Sequence, residues 1–400
     1  MENIYLILGI FIVGGYFAGL LAEKIGLPKI TGYILLGVIF SPSLFGLTVP
    51  EKIQGMGIIT EISLSVVAFI TGGSLNIKTI KKLGMPVIWI TLIQGLGVWL
   101  FVGFSVYFFY PLFSTIGKSE LFIMALTLGA VALPTAPAAI IAIIHEYKAK
   151  GPFTSTLLSV VVLDDALAII ATSISIGIAK SIVGSGSMSI LRELRRGSLE
   201  ILVSILIGMA VGFLSKRIMH YFKSSSSLLL LVTGSIFFST GLSNILGVSY
   251  LLSNMVFGFF ITNTFSFSDK YFTSIKEVEE LIFVLFFTLA GAHFETVALK
   301  TAGILALIIV IGRVSGKFIG SYVGGVVSRA PENVRKYLGF ALLPKAGVTL
   351  GLILLVLELP EIKDVGIIMI NGILASVIIN ELISPPLVKF ALTKSKEIQV

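Results

Sequence analysis

The run LLSVVVLDDALAIIATSIS (157–175) is apolar from end to end except for small hydroxyls and two adjacent aspartates, Asp164 and Asp165, at its centre. As a helix it spans most of the ~30 Å hydrocarbon core of a bilayer. A central aspartate disfavours insertion by about 2.5 to 3.5 kcal/mol, and two neighbours also repel one another. Residues so costly to keep in lipid point to transport of charge. The whole chain has the same character: 56% of its 400 residues are hydrophobic and 12% charged, where a soluble protein has roughly a quarter charged. Its mean hydropathy is +1.04. Long apolar runs, rather than alternating ones, select helices over a barrel, so the fold class is an all-α membrane protein.

Zero cysteines exclude disulfide and thiolate chemistry, and His145, His220 and His293 lack metal-ligand spacing, so no cofactor is expected. The net charge of +8 is carried in short stretches between apolar runs. It therefore reads as topology signal beside anionic lipid, not as a nucleic-acid surface. The apolar run after Glu2 has no basic residues before it and is longer than a signal-peptide core, so it reads as the first, uncleaved membrane helix.

Apolar runs of about 17 residues or more divide the chain into thirteen segments, near 4–22, 30–47, 57–76, 85–112, 120–144, 153–179, 198–218, 226–243, 248–264, 279–295, 301–327, 336–357 and 365–391. With the N-terminus outside, eighteen Lys and Arg fall inside and eight outside, leaving Arg313, Lys317 and Lys345 within the membrane. The positive-inside rule thus predicts N-terminus out, C-terminus in. The stretch SILRELRRGSLEIL (189–202) dissents, and reads as an interfacial amphipathic helix near a connector between two halves.

Two segments carry their own breaks. LPTAPAA (133–139) places Pro134 and Pro137 around Thr135 and Ala136, and LPKAGVTLGL (343–352) places Pro344 and Lys345 before Gly347. Proline removes a backbone donor, and polar groups freed at mid-membrane depth need other protein, a cavity or an ion. Either break alone reads equally as a kink. The broken segments five and twelve each precede the last helix of a six-segment set, with segment seven between the sets. That order predicts two inverted repeats whose discontinuous helices meet near the midplane.

Consecutive helical side chains point about 100° apart, so the two aspartates can do different jobs. In IGRVSGKFIGSYVGG (311–325) Lys317 is central and is the expected partner of Asp164, while Arg313 reads as an anchoring or structural charge, near enough to one end to snorkel towards it. Burial favours a protonated carboxyl and a nearby ammonium an ionised one, so this trio contains both controls on proton binding. Asp165 is then the expected competitive site for a proton or a cation such as Na⁺, with Thr135 beside it. Lys345 reads as either a substrate contact or an offset to helix ends. Asn380 and Glu381 in SVIINELISPPL (376–387) echo the aspartates, or Glu381 pairs with a Lys nearer the inner end. Glu61, Glu279 and Glu280 read as helix N-terminal caps and His293 as structural.

These motifs together resemble the cation/proton antiporter superfamily, second branch, along essentially the whole chain. LDDALAI (163–169) resembles its paired-aspartate motif, SGKFIG (315–320) its lysine motif, and LPKAGVTLGL its second crossover helix, where the family more often has Arg than Lys345. GLPKITGYILLGVIFSP (26–42) and AFITGGSLNIKTIKK (68–82) resemble its second and third helices, although the acidic residue often seen there is Gly73 or Ser74. The resemblance implies a homodimer in the cytoplasmic membrane and an elevator-like core moving against a dimerisation domain. Residues 1–82 and 223–297 would form the dimerisation domain, 83–180 and 298–393 the core, 181–222 the connector and 394–400 a short tail. It also implies electrogenic Na⁺ or Li⁺ exchange for H⁺ carried by Asp165, with K⁺/H⁺ exchange as the alternative. A cation channel, or a carrier coupling Na⁺ to an organic anion, fits the sequence less well.

Overall fold

A computed structural model describes residues 3–25, 29–42, 44, 55–78, 84–183, 190–222, 224–265, 268–294, 299–345, 347–357, 359 and 363–398. Among these residues the chain forms fifteen α-helices of ten residues or more and no strand. They are α1 (Ile4–Lys24), α2 (Lys29–Phe40), α3 (Gly57–Ser74), α4 (Met85–Phe109), α5 (Lys118–Val131), α6 (Pro137–Glu146), α7 (Pro152–Val183) and α8 (Ile190–Ile218). There follow α9 (Ser225–Leu246), α10 (Tyr250–Thr264), α11 (Ser268–Ala292), α12 (Leu299–Val327), α13 (Glu332–Ala341), α14 (Gly347–Val356) and α15 (Lys363–Lys394). Eight helical stretches among the described residues are long and apolar enough to cross a membrane.

The breaks fall where the prolines put them. Pro134 cannot donate a backbone hydrogen bond, so α5 ends at Val131; Pro137, whose fixed φ suits a first helical position, opens α6. Pro344 likewise separates α13 from α14. Pro385 and Pro386, by contrast, lie inside an uninterrupted α15.

Three readings of the sequence need correcting. The basic stretch at 190–202 is not a separate interfacial helix but the first turns of α8, because nothing in it stops a helix before the apolar run begins. α11 starts well before its apolar run for the same reason, since 268–280 contains neither Gly nor Pro. Glu279 and Glu280 therefore sit mid-helix instead of capping it, and Glu280 lies 3.3 Å from the Lys29 ammonium. Glu61 is a turn inside α3, where its carboxylate accepts a hydrogen bond from the Asn244 amide. The end of segment two, beyond residue 44, lies outside the described residues.

Helix packing falls into two groups. α1, α2, α3, α8, α9, α10 and α11 pack chiefly on one another, and so do α4 to α7 with α12 to α15, while an apolar cluster from α3, α7, α10, α11 and α14 joins them. The closest pairing of all is antiparallel α4 against α12. On α4 the stripe Ile90, Gln94, Val98, Val102, Val106 is fully buried, while Leu96, Leu100, Phe104 and Phe108 on the other side are about half or more exposed, as a lipid-facing side should be. Opposite the stripe, α12 places Gly312, Gly316, Gly320 and Gly324 at four-residue intervals. An added Cβ would meet Val102 Cα at 3.0 Å, Val98 Cα at 2.5 Å, Gln94 Cα at 2.5 Å and Ile90 Cα at 2.8 Å, respectively. Small residues at this spacing let two membrane helices meet backbone to backbone.

Gly320→Leu should therefore push α12 off α4 and destabilise the fold by about 1 to 3 kcal/mol. Gly303→Leu, on the same helix but with no atom within 4 Å of an added Cβ, should stay within about 0.5 kcal/mol. Thermal unfolding of both variants in detergent tests the contrast.

Candidate functional site

The two breaks cross. The Ala136 N–H donates to the Pro344 carbonyl (3.0 Å), and the Thr135 hydroxyl lies 3.3 Å from the Leu342 carbonyl. Helices α5 and α13 both end here, leaving carbonyls that no turn of helix can satisfy. Arg313 satisfies them. Its Nε donates to Ala132 O (2.8 Å), one terminal nitrogen to Leu343 O (2.7 Å), and the other to Pro134 O (2.8 Å) with longer contacts to Leu342 O (3.3 Å) and Pro344 O (3.4 Å). The reading in which Arg313 snorkels to a membrane end is thus overturned: the side chain is fully buried. Five main-chain acceptors at the negative ends of two helices outweigh the reach to water, and a planar five-donor fork suits them.

One turn further along α12, Lys317 donates to Asp164 Oδ2 (2.7 Å) and to Thr135 Oγ1 (2.9 Å). The Thr135 hydroxyl donates in turn to the same Oδ2 (2.8 Å), and the Gln94 amide donates to Oδ1. Asp164, Lys317, Thr135 and Gln94 are all fully buried. The carboxylate, carried on α7, is thereby held from two other helices and a break: α12, α4 and the residues between α5 and α6.

Its neighbour is held differently. Asp165 is 6% exposed, and its Oδ1 is buried with no hydrogen-bond partner among the described residues. Gln94 Oε1 is also buried without one. Two oxygen acceptors without donors therefore flank a saturated carboxylate. Buried acceptors left in this state are costly unless a proton or a cation supplies the missing partner.

The second half contributes its own polar groups. The Lys345 ammonium donates to Ser376 Oγ (2.9 Å), and its backbone N–H donates to Glu381 Oε1 (3.1 Å), so a carboxylate sits at the N-terminal end of α14. Glu381 is 2% exposed and does not reach a Lys at a membrane end, which corrects that alternative. Asn380, also buried, turns back to the Ser376 carbonyl of its own helix (2.7 Å) and does not join the Asp164 group. Pro137 only opens α6, and His293 lies at the end of α11 with Nδ1 2.8 Å from Leu289 O. Gln94 was missed at the sequence level. Its one signal was a lone amide in the middle of WITLIQGLGVW (89–99).

Removing Lys317 alone leaves Asp164 buried without its counter-charge. Lys317→Met should cost about 3 to 5 kcal/mol of stability, and adding Asp164→Leu should recover most of it. Chemical unfolding of the two variants in detergent separates the cases.

The family described as sodium/hydrogen exchanger, transmembrane, matches residues 7–390. No curated protein sequence matches. Among solved structures, the sodium proton antiporter MjNhaP1 from Methanocaldococcus jannaschii at pH 8 is similar with a TM-score of 0.81 at 18% identity, covering 98% of each chain. An electron-microscopy map of the same antiporter gives a TM-score of 0.72 at 20% identity, covering 99% of this chain and 96% of that one. At such identities the likeness establishes the fold.

Proposed function

The chain belongs to the sodium/hydrogen exchanger family, and we propose that it exchanges Na⁺ or Li⁺ for H⁺ electrogenically, with the two ions competing for Asp165. The observation that carries this reading is the unlike state of two adjacent carboxyls. Asp164 has donors on both oxygens, whereas Asp165 has a buried oxygen with none among the described residues. A proton on Asp165 supplies a hydrogen and removes the buried charge; a cation supplies a ligand and balances it. The site accepts one or the other because a single carboxylate cannot hold both.

In this mechanism Lys317 keeps Asp164 ionised and in place while Asp165 is protonated. Arrival of the cation draws Asp164 towards it and loosens the Lys317 bond, so that ion occupancy is sensed by α12. Thr135, which touches both Asp164 and Lys317, moves with the break and offers its hydroxyl oxygen to the cation. More than one unit of charge must move for each cation if exchange is electrogenic, and Asp165 and the Asp164–Lys317 pair are the groups available to release it.

The carrier works by alternating access in the cytoplasmic membrane, with thirteen spans, N-terminus out and C-terminus in. A core built from 83–180 and 298–393 moves against a dimerisation domain of 1–82 and 223–297 in a homodimer, joined by 181–222 and followed by the tail 394–400. The division of the helices into two packing groups supports this reading, and so does the crossing of the two breaks within one of those groups.

In liposomes with an imposed pH gradient, added Na⁺ or Li⁺ should dequench an entrapped pH dye for the wild type and for Glu61→Gln. Asp165→Asn should abolish the response, a loss of at least about 100-fold, as expected where the titrating group itself is removed. A response to K⁺ alone would reassign the ion, and an unimpaired Asp165→Asn would refute the assignment of the carrier.

A further inference from the structure

The helix bearing the aspartates begins in an unusual way. Gly151 precedes Pro152 at the start of α7, and neither the Ser nor the Asp of a local cap is present there. The donors of the first turn are met instead from the far end of the chain. Glu397 Oε1 accepts from Phe153 N–H (2.7 Å), while Oε2 accepts from Thr154 N–H (2.8 Å) and from the Thr154 hydroxyl (2.8 Å). The Glu397 carbonyl also accepts from Lys150 N–H (3.1 Å).

The fit is built from both sides. An added Cβ at Gly151 would stand 2.3 Å from Glu397 Cδ, so only a glycine admits the carboxylate at this distance. Beyond the end of α15 the chain turns through Lys396 at φ 62°, a left-handed conformation that directs Glu397 back onto α7. Ile398 packs against the apolar cluster of Phe153, Leu157, Val388 and Leu392, and the Lys389 ammonium lies 4.7 Å from the Tyr147 ring centroid.

From the capped turn a buried stripe runs up α7 through Phe153, Leu157, Val160 and Val161 to Asp164, all less than 1% exposed and all on one helical face. Asp164 is thus about 15 Å from Thr154 along a rigid, packed element. The same stripe belongs to one apolar cluster with Val388, Ala391 and Leu392 of α15, the helix whose Glu381 meets the α14 break.

We infer that Glu397 is a positioning residue for ion exchange: its carboxylate ties the start of α7 to the end of α15, so that the two acid-bearing helices hold their register across the crossover. A charged carboxylate with three donors at a helix N-terminus is a strong form of this contact. Loss of the tie frees the first turn of α7, and the stripe passes that freedom to the Asp164 contacts with Lys317 and Thr135. This inference rests on the exchange reading above, since its effect is seen in Na⁺ binding.

The test compares wild type, Glu397→Ala and Glu397→Gln in the liposome assay over a range of Na⁺. Glu397→Ala should raise the half-saturating Na⁺ concentration about fivefold, the scale of a lost helix cap, with a smaller change in maximal rate. Glu397→Gln, which keeps one carbonyl acceptor, should lie between. An unchanged half-saturation in Glu397→Ala overturns the inference, whatever happens to thermal stability. Should wild-type vesicles show no cation-driven proton flux, the exchange reading fails, and hydrogen exchange of the detergent-solubilised protein decides the tie. Lost protection in Glu397→Ala that spreads from 153–157 to the turn around Asp164 supports it, and a change confined to the first turn of α7 overturns it.

Discussion

Arg313 is the constraint on which the centre of this protein depends. A membrane interior offers no water to backbone groups, so a helix may stop at mid-depth only if its last carbonyls find donors in the protein. Two helices stop here, and one guanidinium serves carbonyls from both breaks within 3.4 Å. Because the guanidinium is planar and its donors are fixed in direction, it also sets the angle and separation at which the breaks cross. The Ala136 to Pro344 hydrogen bond is the direct backbone contact that this arrangement permits.

Everything ionisable in the site is arranged around that crossing. Lys317 lies one turn from Arg313 on α12, so the residue that secures the breaks also delivers the ammonium to Asp164. The glycine ridge of α12 brings α4 close enough for Gln94 to complete the Asp164 shell. On the other side Glu381 meets the start of α14 with a carboxylate, opposite in sign to the arginine at the helix ends, as the helix dipole requires. Buried charges are costly singly, and here three cationic and three acidic side chains are buried within one group of helices. Among these side chains Asp165 alone of the carboxyls has a buried oxygen with no partner among the described residues.

The outer parts of the core serve the same end by packing rather than charge. The buried stripe of α7 belongs to one apolar cluster with Val388, Ala391 and Leu392 of α15, closed at its end by the Glu397 contacts with Phe153 and Thr154. A helix fixed at its first turn and again at Asp164 has little freedom between them.

Much of this was legible in the sequence. Apolar runs located the helices because lipid rewards composition directly, and Pro134, Pro137 and Pro344 located the breaks because a missing N–H is a local property. The aspartates and Lys317 stood out by their cost in lipid. Helix starts at 190 and 268 were not legible, because polar stretches without Pro continue a helix into water as readily as they end one. The direction of a long side chain was not legible either. Arg313 at the carbonyls, Glu381 on the Lys345 amide, Gln94 on Asp164 and Glu397 on α7 all join residues far apart in the chain, and no local rule records which distant acceptor lies within reach. The sequence by itself determined that the chain is a bundle of lipid-soluble helices with charges at its centre and breaks in two of them. Only the tertiary structure decided which of two adjacent aspartates is saturated and which is open, because that depends on where two other helices and the break between α5 and α6 direct their donors.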